Sequence, residues 1–126
     1  MRLPKMNSHK PAVLVVEDEP LILMSTIDAF EDAGFEAIDA RDSEQALQRL
    51  EERPDICALF TDVNMPGRCD GVELARLVHE RSPTTIVVVT SGKMIVSREA
   101  LPKGGVFLPK PYRSSQVMEL FASLLN

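Results

Sequence analysis

Short apolar runs, too brief to be helices, recur along this chain, and each is followed by a stretch with helical periodicity. Val13-Leu14-Val15-Val16, Ile56 to Thr61 and Ile86 to Val89 are rich in β-branched residues, which suits strands buried on both faces. Phe35 to Ile38 and Gly105 to Leu108 complete a set of five. After the first run, Pro20 opens a helix with Leu23, Ile27 and Phe30 on one face and Gly34 as its stop. Asp42 and Gln45 have capping-box spacing ahead of Ala46, Leu47 and Leu50, so a second helix ends before Pro54. Leu74, Leu77 and Val78 share a face between Gly71 and about Arg81, and the last helix, from around Ser114, turns Val117, Leu120, Phe121 and Leu124 inward.

Strands that alternate with helices pair in parallel, so five βα units predict a doubly wound α/β/α sandwich of three layers around a five-stranded parallel sheet. The segment between Ser91 and Gly104 is the exception. Only Val96 to Leu101 has helical potential there and Pro102 ends it, so the fourth helix is expected to be short or irregular.

At 126 residues the chain fits one domain, which buries roughly two thirds of its unfolded surface. A net charge of -5 with scattered basic residues argues against a surface built mainly to hold nucleic acid or anionic lipid. No run approaches membrane-spanning length. Residues 1–11 are basic and polar without the apolar stretch of a secretory signal, and are read as a flexible arm ahead of a domain over 12–126. Cys57 and Cys69 lack metal-ligand or redox-motif spacing, which fits two free thiols in a reducing cytoplasm. A monomer or weak dimer, with no direct contact to nucleic acid or membrane, is the expected state.

Parallel strands share one carboxyl edge, where open α/β folds bind ligands. Four of the runs end there on residues suited to phosphoryl transfer: Glu17-Asp18, Asp62, Thr90 and Lys110. A carboxylate such as Asp62 can attack phosphorus and form an acyl phosphate. Glu17 and Asp18 arrive from the neighbouring run, and carboxylates with waters and phosphate oxygens make the octahedral oxygen shell that Mg2+ prefers. Lys110 adds a cation for a phosphoryl oxygen, and the Thr90 hydroxyl a hydrogen bond.

Each of these residues also has a purely structural reading. Glu17-Asp18 would cap the helix at Pro20, and Asp62 would be a turn residue ahead of Asn64-Met65-Pro66-Gly67. Thr90 would finish a strand and Phe107 would be a core aromatic. Capping does not require Lys110, however, and the coincidence of all four at interior strand ends has little structural reason. His79 falls on a solvated helix face and His9 in the arm, and neither is given a role. Tyr112 either lines an exposed face or packs the last helix.

The set Val13 to Pro20, Phe60-Thr61-Asp62-Val63-Asn64-Met65-Pro66-Gly67, Val89-Thr90-Ser91-Gly92 and Phe107-Leu108-Pro109-Lys110-Pro111-Tyr112 closely resembles the receiver domains of bacterial two-component response regulators, from about Ala12 to Leu125. The resemblance implies a flavodoxin-like strand order 2-1-3-4-5. It implies that Asp62 accepts a phosphoryl group from a phosphohistidine on a sensor histidine kinase or a histidine phosphotransfer protein. Asp18, Asp62 and the main-chain carbonyl of Asn64 would bind Mg2+ (or Mn2+), with Glu17 acting through a water. Thr90 would be the switch hydroxyl, Lys110 its cationic partner, and Phe107 the aromatic that follows Thr90 inward.

Two features depart from the family pattern. The loop from Pro66 to Gly71 is one residue longer than the common form, and Thr90 and Lys110 are closer together than in most receivers. With only Asn126 after Leu125, output is expected to pass to a downstream protein of unknown identity, or the chain is a receiver fragment of a longer regulator. A phosphorylation-independent binding module is the alternative, although it would be expected to have lost Asp62, Asp18 or Lys110. A turnover phosphatase is disfavoured, because Asn64 stands where the haloacid dehalogenase-like phosphatases carry an acid/base Asp. Gly92 leaves one side of the acyl phosphate open to water, which predicts a labile phosphoryl state.

Overall fold

The computed structural model describes residues 10–65 and 69–125. The arm expected over 1–11 lies almost wholly outside the described residues, as do Pro66, Gly67 and Arg68 of the lengthened loop. The chain runs β1 (Ala12–Val16), α1 (Pro20–Asp32), β2 (Glu36–Ala40), α2 (Ser43–Glu52), β3 (Ile56–Asp62), α3 (Gly71–Arg81), β4 (Ile86–Ser91), a 3-10 turn (Arg98–Ala100), β5 (Val106–Pro109) and α4 (Ser114–Leu124). All strands are parallel, in the order β2-β1-β3-β4-β5, as the resemblance implies. Among the described residues no helix is long and apolar enough to cross a membrane.

The period-2 alternation of a strand sorts the core into two layers. Ala12, Leu14 and Val16 of β1 face α2 and α3, where they meet Ala46, Leu74, Ala75 and Val78. Val13 and Val15 face α1 and α4, against Leu23, Phe30, Val117 and Phe121. Helices on both sides explain why all five β1 residues are buried. In β3 the alternation slips, because Ala12 pairs with Ile56 but Val13 with Ala58. The bulge at Cys57 lets Ile56 and Leu59, three residues apart, both serve the α2/α3 layer.

Local chemistry sets the helix ends. Asp42 caps α2 by accepting from the Gln45 N–H at 2.8 Å, and the Gln45 side chain accepts in turn from the Arg41 N–H at 2.9 Å. Pro20 opens α1, and Gly34, at φ +96°, turns the chain out of it. Phe35, expected in the second strand, still belongs to that turn, with its N–H bonded to the Phe30 carbonyl and its ring edge-on to Phe30. β2 therefore starts one residue later than its apolar pattern suggests.

The helix expected between β4 and β5 is reduced to the single 3-10 turn. Val96 and Leu101 are its buried apolar contribution to the α2/α3 layer, and two inward residues five apart do not make a helical stripe. Gly104, at φ +83°, then redirects the chain into β5.

Candidate functional site

Neighbouring strands bring the acidic residues together. Val16 pairs with Thr61, so the residues that follow β1 lie beside the end of β3. The carboxylate oxygens of Glu17, Asp18 and Asp62 converge within 4.8 Å of one another. Glu17 and Asp62 are only 7% and 8% exposed, and Asp18 is open to solvent. The capping alternative for Glu17-Asp18 does not hold, because Glu19 caps α1 by accepting from the Leu21 N–H at 3.0 Å. Glu17 instead accepts from the Glu19 N–H at 3.0 Å.

Such a cluster is electrostatically expensive. Burial pushes the Glu17 carboxyl above its ordinary range, the Glu19 N–H opposes that shift, and the Asp62 charge adds to it. Among the described residues the ammonium hydrogen-bonded to the cluster is Lys110, whose Nζ lies 3.1 Å from Asp62 Oδ2. One monovalent cation against three carboxylates leaves a deficit of positive charge. A hard divalent ion with oxygen ligands fits that donor set.

The sheet also positions the other two groups. Asp62 pairs with Thr90 across β3 and β4, and the Val63 N–H donates to the Thr90 carbonyl at 2.9 Å. Across β4 and β5 the Lys110 N–H donates to the Ser91 carbonyl at 3.0 Å, and the Lys110-Pro111 peptide is cis. Among the described residues Thr90 Oγ1, which is buried, has no hydrogen-bond partner. A hydroxyl left in that state normally costs stability, so its bonding capacity is free for an incoming oxygen. The Asn64 N–H reaches Asp62 Oδ1 only at 3.4 Å, so the turn role of Asp62 is weak.

Residues 13–122 match the family model of the response regulator receiver domain. The chain belongs to the receiver family. It is 37% identical over 105 residues to a protein-glutamate methylesterase/protein-glutamine glutaminase of Archaeoglobus fulgidus, covering 79% of this chain and 29% of that protein. It is 32% identical over 110 residues to the transcriptional regulatory protein PdtaR of Mycobacterium tuberculosis, covering 84% and 52%. The chain thus spans from under a third to about half the length of these relatives. The crystal structure of a response regulator receiver protein from Sinorhizobium medicae superposes with a TM-score of 0.86 at 25% identity, covering 94% of this chain and 96% of that one.

A receiver is a signalling domain rather than a turnover enzyme, and it implies a histidine kinase partner. The Glu17, Asp18 and Asp62 triad is typical of the receiver Mg2+ site. In this receiver Phe107 is half-buried on the α2/α3 side, one register step from the Thr90 pair, and lines a cavity of about 270 Å3 with Val96, Arg98 and Leu101. Gly92 is open, since a Cβ there would come no nearer than 3.4 Å to Lys110.

At two residues the structure adds what the sequence reading missed or left open. A Cβ on Gly71 would sit 2.1 Å from the Asp62 carbonyl oxygen and 2.9 Å from Val63 Cα, so only glycine lets α3 start against the end of β3. Its signal was present in Asp70, which caps α3 through the Glu73 N–H at 2.9 Å, but the target of the approach lies nine residues upstream. Tyr112, for which two placements were open, packs into the α1/α4 layer against Phe60. Burial, then the charges of Glu17 and Asp62, push its phenol up to about 12.

Proposed function

We propose that this receiver, read as residues 12–126, takes a phosphoryl group onto Asp62 from the phosphohistidine of a sensor kinase or phosphotransfer protein. In the step, an Asp62 oxygen bonds to phosphorus while the P–N bond breaks and its electron pair returns to the imidazole. The observation that carries this reading is the convergence on Asp62 of two further carboxylates within 4.8 Å, the Lys110 ammonium at 3.1 Å and the register-paired Thr90 with its unpartnered hydroxyl.

Asp18, Asp62 and the main-chain carbonyl of Asn64 would hold Mg2+ or Mn2+, with Glu17 through a water, and the metal would neutralise charge between Asp62 and the incoming dianion. Lys110 then exchanges its Asp62 partner for a phosphoryl oxygen, and Thr90 Oγ1 donates to another. Phe107 has the neighbouring cavity as room to follow Thr90 inward. The change in this surface passes the signal to a downstream protein.

The distribution of exposed apolar side chains supports a protein donor. Among the described residues the exposed large hydrophobics are Leu21, Ile22 and Met24 at the start of α1 and Met94 and Ile95 after β4. Both segments adjoin the carboxyl edge of the sheet that carries Asp62. Apolar groups gathered around a charged site mark a docking rim.

Intact mass after incubation with acetyl phosphate tests the reading. The expected result is one Mg2+-dependent phosphoryl adduct that is absent in Asp62→Ala and decays within hours because Gly92 leaves water access. A folded protein that takes no adduct with Mg2+ present would make this a binding module instead.

A further inference from the structure

One side of the phosphoryl site rests on a continuous run of aromatic rings. Phe30 meets Phe121 edge to face at 5.0 Å and Phe60 at 5.9 Å, and Phe60 in turn meets Phe121 at 5.6 Å and Tyr112 at 5.8 Å. Phe60 stands two residues before Asp62 on β3, and Tyr112 two residues after Lys110. A single edge-to-face contact therefore joins the strand that carries the acceptor to the turn that carries its cation. It does so independently of the ion pair between them.

That contact has work to do, because among the described residues the Lys110 side chain hydrogen-bonds only to Asp62, the group it has to be positioned against. The main-chain bond from Lys110 to the Ser91 carbonyl fixes the backbone, but a four-carbon stem with a point charge at its end keeps its freedom. Pro111 has no N–H to give, and Arg113 already belongs to the start of α4, its N–H donating to the Gln116 side chain at 2.8 Å. Ile22, Pro111 and Tyr112 wall a depression of about 250 Å3 together with Lys110. Tyr112 is the one of these four anchored in the core, half-buried and seated on Phe60.

We propose that Tyr112 is a positioning residue for phosphoryl transfer: its ring, held edge-on by Phe60, sets the Lys110 turn so that the ammonium meets Asp62. The ring carries this role and the hydroxyl is dispensable. The inference rests on Asp62 as the phosphoacceptor and adds a determinant of how fast that site reacts.

The experiment compares Tyr112→Phe and Tyr112→Leu with the unaltered chain in three measurements: the rate of adduct formation from acetyl phosphate, the Mg2+ affinity of the unphosphorylated protein by calorimetry, and thermal unfolding. Tyr112→Phe is expected to react close to the original rate. Tyr112→Leu is expected to react about ten- to a hundredfold more slowly, the upper figure being the penalty for a misplacement of about 1 Å. Its Mg2+ affinity should hold or rise, because a loosened Lys110 competes less for Asp62. In a Lys110→Ala background, Tyr112→Leu should add no further loss.

An unchanged rate in Tyr112→Leu would overturn the proposal. So would a loss of Mg2+ affinity in step with the rate, which marks general disruption of the acidic cluster, or a Tyr112→Phe as slow as Tyr112→Leu, which would make the hydroxyl the acting group. An adduct that persists in Asp62→Ala would instead remove the underlying reading, so the two failures are distinguishable.

Discussion

Thr90 is a residue whose placement works against stability. Its buried hydroxyl has no partner among the described residues, and a side chain of the same shape without the oxygen would not carry that penalty. Thr90→Val should therefore leave the unphosphorylated protein as stable or about 1 kcal/mol more stable in denaturant unfolding. The same variant should lose the phosphorylation-induced shift of the Phe107 resonances. A clear destabilisation would show that the hydroxyl is bonded in the resting state. Glu17 is similar in kind: its carboxylate is held against burial and against Asp62, a cost that makes sense where a cation is bound.

The elements meet at the site with different tolerances. The first turn of α3 presses directly on the end of β3, with no room for a Cβ at Gly71. Gly71→Ala should cost about 1 to 3 kcal/mol, the usual range for overpacking, and should slow phosphorylation because the group that must give way is the Asp62 main chain. Gly92, at the end of β4, makes only ordinary contact with Lys110. Gly92→Ala should stay within roughly 0.5 kcal/mol of the original stability, so the pair of variants separates backbone crowding from loss of glycine as such. The 3-10 turn between β4 and β5 shows the opposite situation, since Val96 and Leu101 are the buried apolar residues of a segment that elsewhere in this sheet would be a packed helix.

For the whole molecule, the acidic cluster and the aromatic layer meet at Tyr112. The chain has one tyrosine and no tryptophan, so phenolate absorbance reads that residue alone. Its midpoint is expected near 12 in the folded protein and near the ordinary value of about 10 once unfolded. Asp62→Asn should move the folded value downward. Because the folded value is the higher one, Tyr112 contributes stability that is fully present below about pH 10 and is lost as pH rises through about 12. A folded-state midpoint at the ordinary value would mean that the ring is not buried as described. Much of this organisation was legible in the chain. The β-branched run of β1, the Asp42 and Gln45 cap and the chemistry at the strand ends depend on near neighbours and on the shared edge of parallel strands. The strand order was legible only through the likeness to receivers, since periodicity does not say which strands pair. The bulge at Cys57, the retention of Phe35 in the turn, the contact of Gly71 with Asp62 and the seating of Tyr112 on Phe60 were settled by the tertiary structure. Each is a distance between residues whose separation in space is set by how whole layers pack, and a local pattern of side chains carries no information about that distance.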